Sequence, residues 1–168
     1  DSGGGTPPPV APAITSQPQN AIVTQGAPAS FTVAASGTAP LAYQWRRGGI
    51  ALPSGTGAAL SLPSAQPSDA GSYDVVVSNG AGTVTSAAAT LTVNVPPAIS
   101  VQPQPQTVLA PASATLGVTA SGTPSPSYQW KRNGVDLPGA TGASYSTPAT
   151  SGADDGSSFS VQVTNVAG

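Results

Sequence analysis

The chain has 168 residues, of which four are Lys or Arg and six are Asp or Glu; it has no His and no Cys, and its formal charge is −2. Charged residues make up 6% of it, against roughly 25% in ordinary soluble domains. The 20 glycines and 19 prolines, with a single Lys and no Glu or Met, exclude a helix-rich fold. Without His or Cys there is no Ser-His-Asp triad, thiol nucleophile, zinc finger, haem ligand or iron–sulfur cluster, and no cofactor is expected. Four cations are too few to neutralise a phosphate backbone, so nucleic acid is excluded as a partner. No apolar run reaches the ~18 residues of a membrane span, and Asp1 in place of Met predicts a processed or cut chain.

The first nine residues, Asp1-Ser2-Gly3-Gly4-Gly5-Thr6-Pro7-Pro8-Pro9, read as a flexible tether passing into a stiff polyproline segment. Beyond them the chain repeats itself. Ala13-Ile14-Thr15-Ser16-Gln17-Pro18 returns as Ala98-Ile99-Ser100-Val101-Gln102-Pro103, Tyr43-Gln44-Trp45 as Tyr128-Gln129-Trp130, and Leu52-Pro53 as Leu137-Pro138. Val75 to Asn79 then matches Val161 to Asn165 one position later, which places a one-residue insertion between Trp130 and Val161. Two copies of one small domain are predicted, residues 10–95 and 96–168, following the arm at 1–9.

In the first copy, short alternating runs bounded by Gly, Pro, Asn and Asp predict strands near 13–17, 21–25, 29–36, 41–47, 50–52, 58–62, 72–78 and 83–94. Phe31, Val33 and Ala35 share one face, as do Tyr43 and Trp45. Arg46-Arg47-Gly48-Gly49 and Lys131-Arg132-Asn133-Gly134 fall where a hairpin should reverse. Val95-Pro96-Pro97 leaves little slack between the copies, since proline fixes φ and extends the residue before it, so the copies are expected end to end. The class is all-β: two antiparallel two-sheet sandwiches.

The residues resemble the immunoglobulin-like fold, in particular its intermediate set and the tandem repeats of bacterial surface and secreted proteins. Val33 and Gly37, Pro40, Trp45, then Asp69-Ala70-Gly71-Ser72-Tyr73-Asp74-Val75 with Asn79 and Gly82 follow the family pattern in copy one. Val118, Gly122, Pro124, Pro126, Trp130, then Asp155-Gly156-Ser157-Ser158-Phe159-Ser160-Val161 with Asn165 and Gly168 follow it in copy two. The resemblance implies a core signature of Val33, Trp45, Tyr73 and Val75 in one copy and Val118, Trp130, Phe159 and Val161 in the other. Val33 with Val75, and Val118 with Val161, stand where the family's inter-sheet cystine would be, so packing alone must hold each sandwich. Phe159 replaces the family's corner Tyr, which makes copy two the weaker domain.

Copy one continues through Thr83 to Val93, the family's last strand, whereas copy two stops at the equivalent of Gly82. The second sandwich is therefore expected to lack its final strand, leaving Phe159, Val161 and Val163 on a strand-acceptor edge. That strand would come from a continuation of the natural chain or from another molecule. The Gly/Pro arm looks like the spacer behind the lipidated Cys of bacterial lipoproteins, which implies a lipid anchor upstream of residue 1.

Arg46, Arg47, Lys131 and Arg132 occupy the same hairpin in both copies. As a patch they would grip acidic partners, but two charges per hairpin steer little at physiological salt, which favours solvated tips. Asp154-Asp155 with Asp69 lacks the six oxygens of a calcium site, so Asp69 and Asp155 are expected to accept backbone N–H groups in a turn, and no metal is expected. The eight aromatics are all expected in cores, leaving no sugar-stacking platform. Function narrows to a non-catalytic module at the cell surface or outside the cell, a structural or adhesive stalk or fibre with protein partners. The alternatives are a surface-filament subunit joined to copies of itself by strand donation, and an accessory module of a secreted hydrolase.

Overall fold

The computed structural model describes residues 6–168, and the arm's first five residues lie outside them. The chain divides into two compact units, Asp1–Val93 and Asn94–Gly168. Strand is the dominant element; the only helical pieces among the described residues are single 3-10 turns at Pro67–Asp69 and Gly152–Asp154. No helix among them is long and apolar enough to cross a membrane.

The first unit runs β1 (Ala13–Ser16), β2 (Ala21–Thr24), β3 (Ala29–Thr32), β4 (Ala34–Ser36), β5 (Ala42–Arg47), β6 (Ile50–Ala51), β7 (Ala59–Leu62), β8 (Gly71–Asn79), β9 (Gly82–Thr85) and the start of β10 (Ala89–Val101). On one layer β1 pairs β4 and β3 pairs β7. On the other, β5 pairs β6 and β8, while β8 also pairs β9 and β10, and β2 joins β10. Period-two alternation turns Phe31, Val33 and Leu60 inward from the first layer and Trp45, Tyr73, Val75 and Val77 from the second, where all are buried. The Phe31 and Tyr73 rings stack across the gap with centroids 4.9 Å apart. Two of the expected strands are interrupted. The run 29–36 breaks at Val33, whose N–H bonds the Ala58 carbonyl. The run 83–94 breaks between Thr85 and Ala89, because the buried Ser86 hydroxyl turns inward to accept from the Val75 N–H at 3.0 Å.

In the second unit the remainder of β10 pairs β12 (Thr119–Thr123), β11 (Thr115–Gly117) pairs β15 (Ser144–Ser146), and β13 (Ser127–Arg132) pairs both β14 (Val135–Asp136) and β16 (Phe159–Thr164). Trp130 stands opposite Val161 as Trp45 stands opposite Val75. Across the first layer the bulky partner changes sides: Phe31 opposite Leu60 becomes Leu116 opposite Tyr145. One aromatic and one Leu are kept at the pair, so its total volume is nearly conserved. Hairpin tips fall at Gly48-Gly49, with φ of 55° and 82°, and at Asn133-Gly134, with φ of 49° and 81°. Two successive positive φ values are what a tight hairpin asks of its central residues, and Asn and Gly tolerate them.

Candidate functional site

The polar residues that the repeat preserves serve the backbone. The Trp45 indole N–H donates to the Gly57 carbonyl and that of Trp130 to Gly142, each at 2.9 Å. Gln44 Nε2 donates to the Leu52 and Trp45 carbonyls, and Gln129 Nε2 to those of Leu137 and Trp130. These bonds explain why Tyr-Gln-Trp and Leu-Pro recur together. Asn79 Nδ2 holds the carbonyls of Val10 and Thr38, Asn165 Nδ2 those of Val95 and Pro124, and each Asn Oδ1 accepts from the N–H two residues on. The recurrence of Asn79 as Asn165 was the only trace of this clamp in the sequence, and its spacing from the clamped carbonyls is too long to read locally.

All four cations are paired. Arg46 grips Asp74 through Nε and Nη2, both at 2.8 Å, and this bond raises the guanidinium above its ordinary pKa. Arg47 meets Asp69, Lys131 meets Asp136, and Arg132 meets Asp154 at 2.7 Å. These side chains lie at strand ends facing neighbouring carboxylates, rather than at solvated hairpin tips as the sequence suggested, because the reversals themselves are made by Gly48-Gly49 and Asn133-Gly134.

The turn before β8 holds as expected: Asp69 Oδ2 accepts from the Gln66 N–H at 2.8 Å, and the Tyr73 hydroxyl donates to the Asp69 carbonyl at 2.6 Å. In the second unit the expectation for Asp155 is corrected. Asp154 fills the role, accepting from the Ser151 N–H at 2.7 Å and from the Ser151 hydroxyl, which with Arg132 holds its pKa below the ordinary carboxylate value. The inserted residue therefore lies after Asp154, in a turn where Ser157 N–H returns to the Asp154 carbonyl and Gly156 takes a φ of 72°. Among the described residues no three acids gather as metal ligands would.

The signature residues differ in cover. Val33, Trp45, Tyr73 and Val75 are all buried, as are Val118 and Trp130, but Phe159, Val161 and Val163 are only half-buried. β16 has β13 on one side and no strand on the other among the described residues. Beside it opens a cleft of about 940 Å³ whose apolar lining includes Val108, Leu116, Leu137, Tyr145 and Phe159. Phe159 has no hydroxyl to repeat the Tyr73 bond; its ring instead faces the Arg132 guanidinium at 6.0 Å.

Two antiparallel sandwiches, each with a buried Trp on the strand facing an inward-alternating partner, define a tandem immunoglobulin-like protein. Residues 11–79 and 96–166 match the family described as Immunoglobulin domain, and the chain belongs to it. It is similar to Hemicentin-1 of Mus musculus, 30% identical over 132 residues that cover 75% of this chain and 2% of that protein. It is also similar to Endoglucanase C of Cellulomonas fimi, 37% identical over 95 residues that cover 54% of this chain and 9% of the other. The chain thus spans a small fraction of either relative's length. Among solved structures, an I-band fragment from titin superimposes with a TM-score of 0.76 at 21% identity, covering 94% of this chain and 62% of that one, a likeness of fold.

Proposed function

We propose that this chain is a non-catalytic, exported module of a bacterial surface or secreted protein, serving as part of a structural or adhesive stalk or fibre. The observation that carries this reading is the use made of the preserved polar groups. Gln44 and Gln129, Trp45 and Trp130, and Asn79 and Asn165 all hold backbone carbonyls, and the cations close on carboxylates. What the repeat preserves is a scaffold. Packing without disulfides makes such a module independent of an oxidising environment. The test is to raise antibodies against the chain and label intact cells of the source organism. Labelling of unpermeabilised cells or of secreted material is expected; labelling that requires permeabilisation overturns the proposal.

A second reading, an accessory module of a secreted hydrolase, is favoured by the likeness to Endoglucanase C. Immunopurifying the native protein that carries this chain and assaying it on β-glucan distinguishes the two readings: a hydrolytic parent supports the second.

A further inference from the structure

Glycine follows asparagine twice in the chain, at Asn79-Gly80 and at Asn133-Gly134, whereas Asn20, Asn94 and Asn165 precede Ala or Val. This dipeptide is the chemically weak one. With no Cβ on the second residue, its backbone nitrogen reaches the carbonyl carbon of the asparagine side chain with the least hindrance. The fold treats the two pairs differently. Asn79, half-buried at the end of β8, is held by four bonds. Its Nδ2 donates to the Val10 and Thr38 carbonyls at 2.7 and 2.9 Å, and its Oδ1 accepts from the Ala81 and Gly82 N–H groups at 2.9 and 3.2 Å. The amide cannot swing toward the Gly80 nitrogen without breaking them.

Asn133 has no such clamp. It is exposed at the tip of the hairpin that joins β13 to β14. Its Oδ1 accepts one bond, from the Ser158 N–H at 2.9 Å, and among the described residues its Nδ2 and the Gly134 N–H have no partner. The hairpin is also short. β14 is two residues long and stands at the edge of its sheet, tied by the pairing of Lys131 with Asp136 and of Arg132 with Val135, and by the ion pair of Lys131 with Asp136. Opening so small an element costs little beside unfolding the unit. Gly48 stands in this place in the first unit, its N–H donating to the Ser72 carbonyl as that of Asn133 donates to Ser158, at 2.9 and 2.8 Å. Gly48 and Gly49 are exposed there too, so the exposure of Asn133 does not depend on the incomplete cover of β16.

We propose that Asn133 is a modification site, converting spontaneously to isoaspartate and aspartate in the folded chain while Asn79 is preserved. The Gly134 nitrogen gives its proton to water and bonds to Asn133 Cγ. The bond from Cγ to Nδ2 then breaks, and the amide leaves as ammonia with a proton taken from water. Water opens the resulting cyclic imide at either carbonyl. One opening leaves an aspartate side chain at position 133; the other routes the main chain through the former side chain and lengthens it by one methylene. Each product carries one negative charge more than the formal −2 of the chain. The longer backbone does not fit a two-residue reversal, so its formation loosens β14 and parts Asp136 from Lys131.

The test ages the 168-residue chain in mildly alkaline buffer, folded in one sample and unfolded by urea in another. Pepsin digestion at low pH and mass spectrometry follow each site, and an isoaspartyl methyltransferase with a radiolabelled methyl donor counts isoaspartate. In the folded chain Asn133 is expected to convert at least about tenfold faster than Asn79, which must break three more hydrogen bonds to react. In urea, where neither amide is held, the two rates should converge. Asn133→Gly, which copies the hairpin of the first unit, should abolish the acidic species seen on anion exchange. The proposal is overturned if Asn79 converts as fast as Asn133 in the folded chain, or if the folded chain keeps Asn133 intact while the unfolded chain loses it. A rate difference of the same size in urea would assign the effect to neighbouring sequence and overturn it as well. So would a product at position 133 without isoaspartate, or acidic species that persist in the glycine variant.

Discussion

Tyr73 and Phe159 occupy the same place in the two units, each opposite an arginine at the end of the strand that carries the core Trp. One is buried and the other is not. The buried core of the first unit draws on Phe31, Trp45, Leu60, Tyr73, Val75, Val77, Ala89 and Leu91 among others, whereas that of the second consists of Leu116, Val118, Trp130 and Ala140. The local frame is nevertheless the same, down to the indole and glutamine bonds. The signature residues thus set strand pairing and turn geometry, while burial depends on a covering strand remote from them in sequence. Frame and closure are separable in this fold.

The separation predicts two unfolding transitions for residues 1–168. The second unit should unfold first, by a margin of several kcal/mol, because fully burying a Leu or Val side chain contributes about 1.5–3 kcal/mol, and Phe159, Val161 and Val163 are only half-buried where Tyr73, Val75 and Val77 are buried. Urea unfolding followed by hydrogen exchange would assign each transition, and a single cooperative transition for both units would break the comparison.

Covalent closure should narrow the gap when it is made in the second unit and widen it when it is made in the first. Replacing Val33 and Val75 with Cys, or Val118 and Val161, restores the inter-sheet cystine that the family resemblance places there. Closing a loop of this size is worth roughly 4 kcal/mol in the chain-entropy model. Non-reducing electrophoresis and denaturant midpoints check both pairs. A folded variant that fails to crosslink shows that these valines do not face each other.

The cores can also be compared by tightness. Gly55 and Ala140 are equivalent, each carbonyl accepting from the N–H of its Trp, at 2.7 and 2.9 Å. A Cβ on Gly55 would lie 2.7 Å from the Trp45 Cβ. Gly55→Ala should therefore cost the first unit about 1–3 kcal/mol as overpacking, although the second carries Ala there natively. A neutral result would mean that the first core relaxes as readily as the second.

Most of the fold was legible because it is local: alternation, Gly and Asn at reversals, and the 85-residue repeat of Tyr-Gln-Trp and Leu-Pro. The interruption near Ser86 was not, since it depends on one hydroxyl replacing a ladder bond. The assignment of Asp155 failed because sequence matching carried the register back from Val161, whereas the chain absorbs its insertion between Asp154 and Phe159. The cations were misplaced for a related reason, as their carboxylate partners lie up to 28 residues away on other elements. That residues 106–109, the counterpart of β2, form no strand was not legible, since the segment keeps a strand-like sequence.

A smaller effect separates ring from hydroxyl. Tyr73→Phe removes the bond to the Asp69 carbonyl and should cost the first unit about 1 kcal/mol. Phe159→Tyr offers the second unit the same bond, but its inserted residue shifts the turn that would supply the carbonyl. The gain is expected to be less than the loss, as read by denaturant midpoints. Equal and opposite effects would mean that the insertion leaves the acceptor in place.

The smallest expected effect is one of pH, and it belongs to the second unit. The Ser151 N–H and hydroxyl, then Arg132, favour the ionised form of Asp154 and lower its pKa. A carboxyl depressed in the folded state contributes stability that is present above its unfolded pKa, about 3.9, and is lost as pH falls through the lower folded value. The second unit should therefore weaken below about pH 4 more in the natural chain than in the Asp154→Asn variant. The variant keeps a side-chain oxygen to accept from Ser151 but has no proton to gain and no charge for Arg132. At neutral pH it should be slightly less stable, because the charge pair is gone, and the two stability curves should converge toward pH 2. Parallel curves would mean that Asp154 acts only as a neutral acceptor, and that the acid sensitivity of this unit comes from other carboxylates.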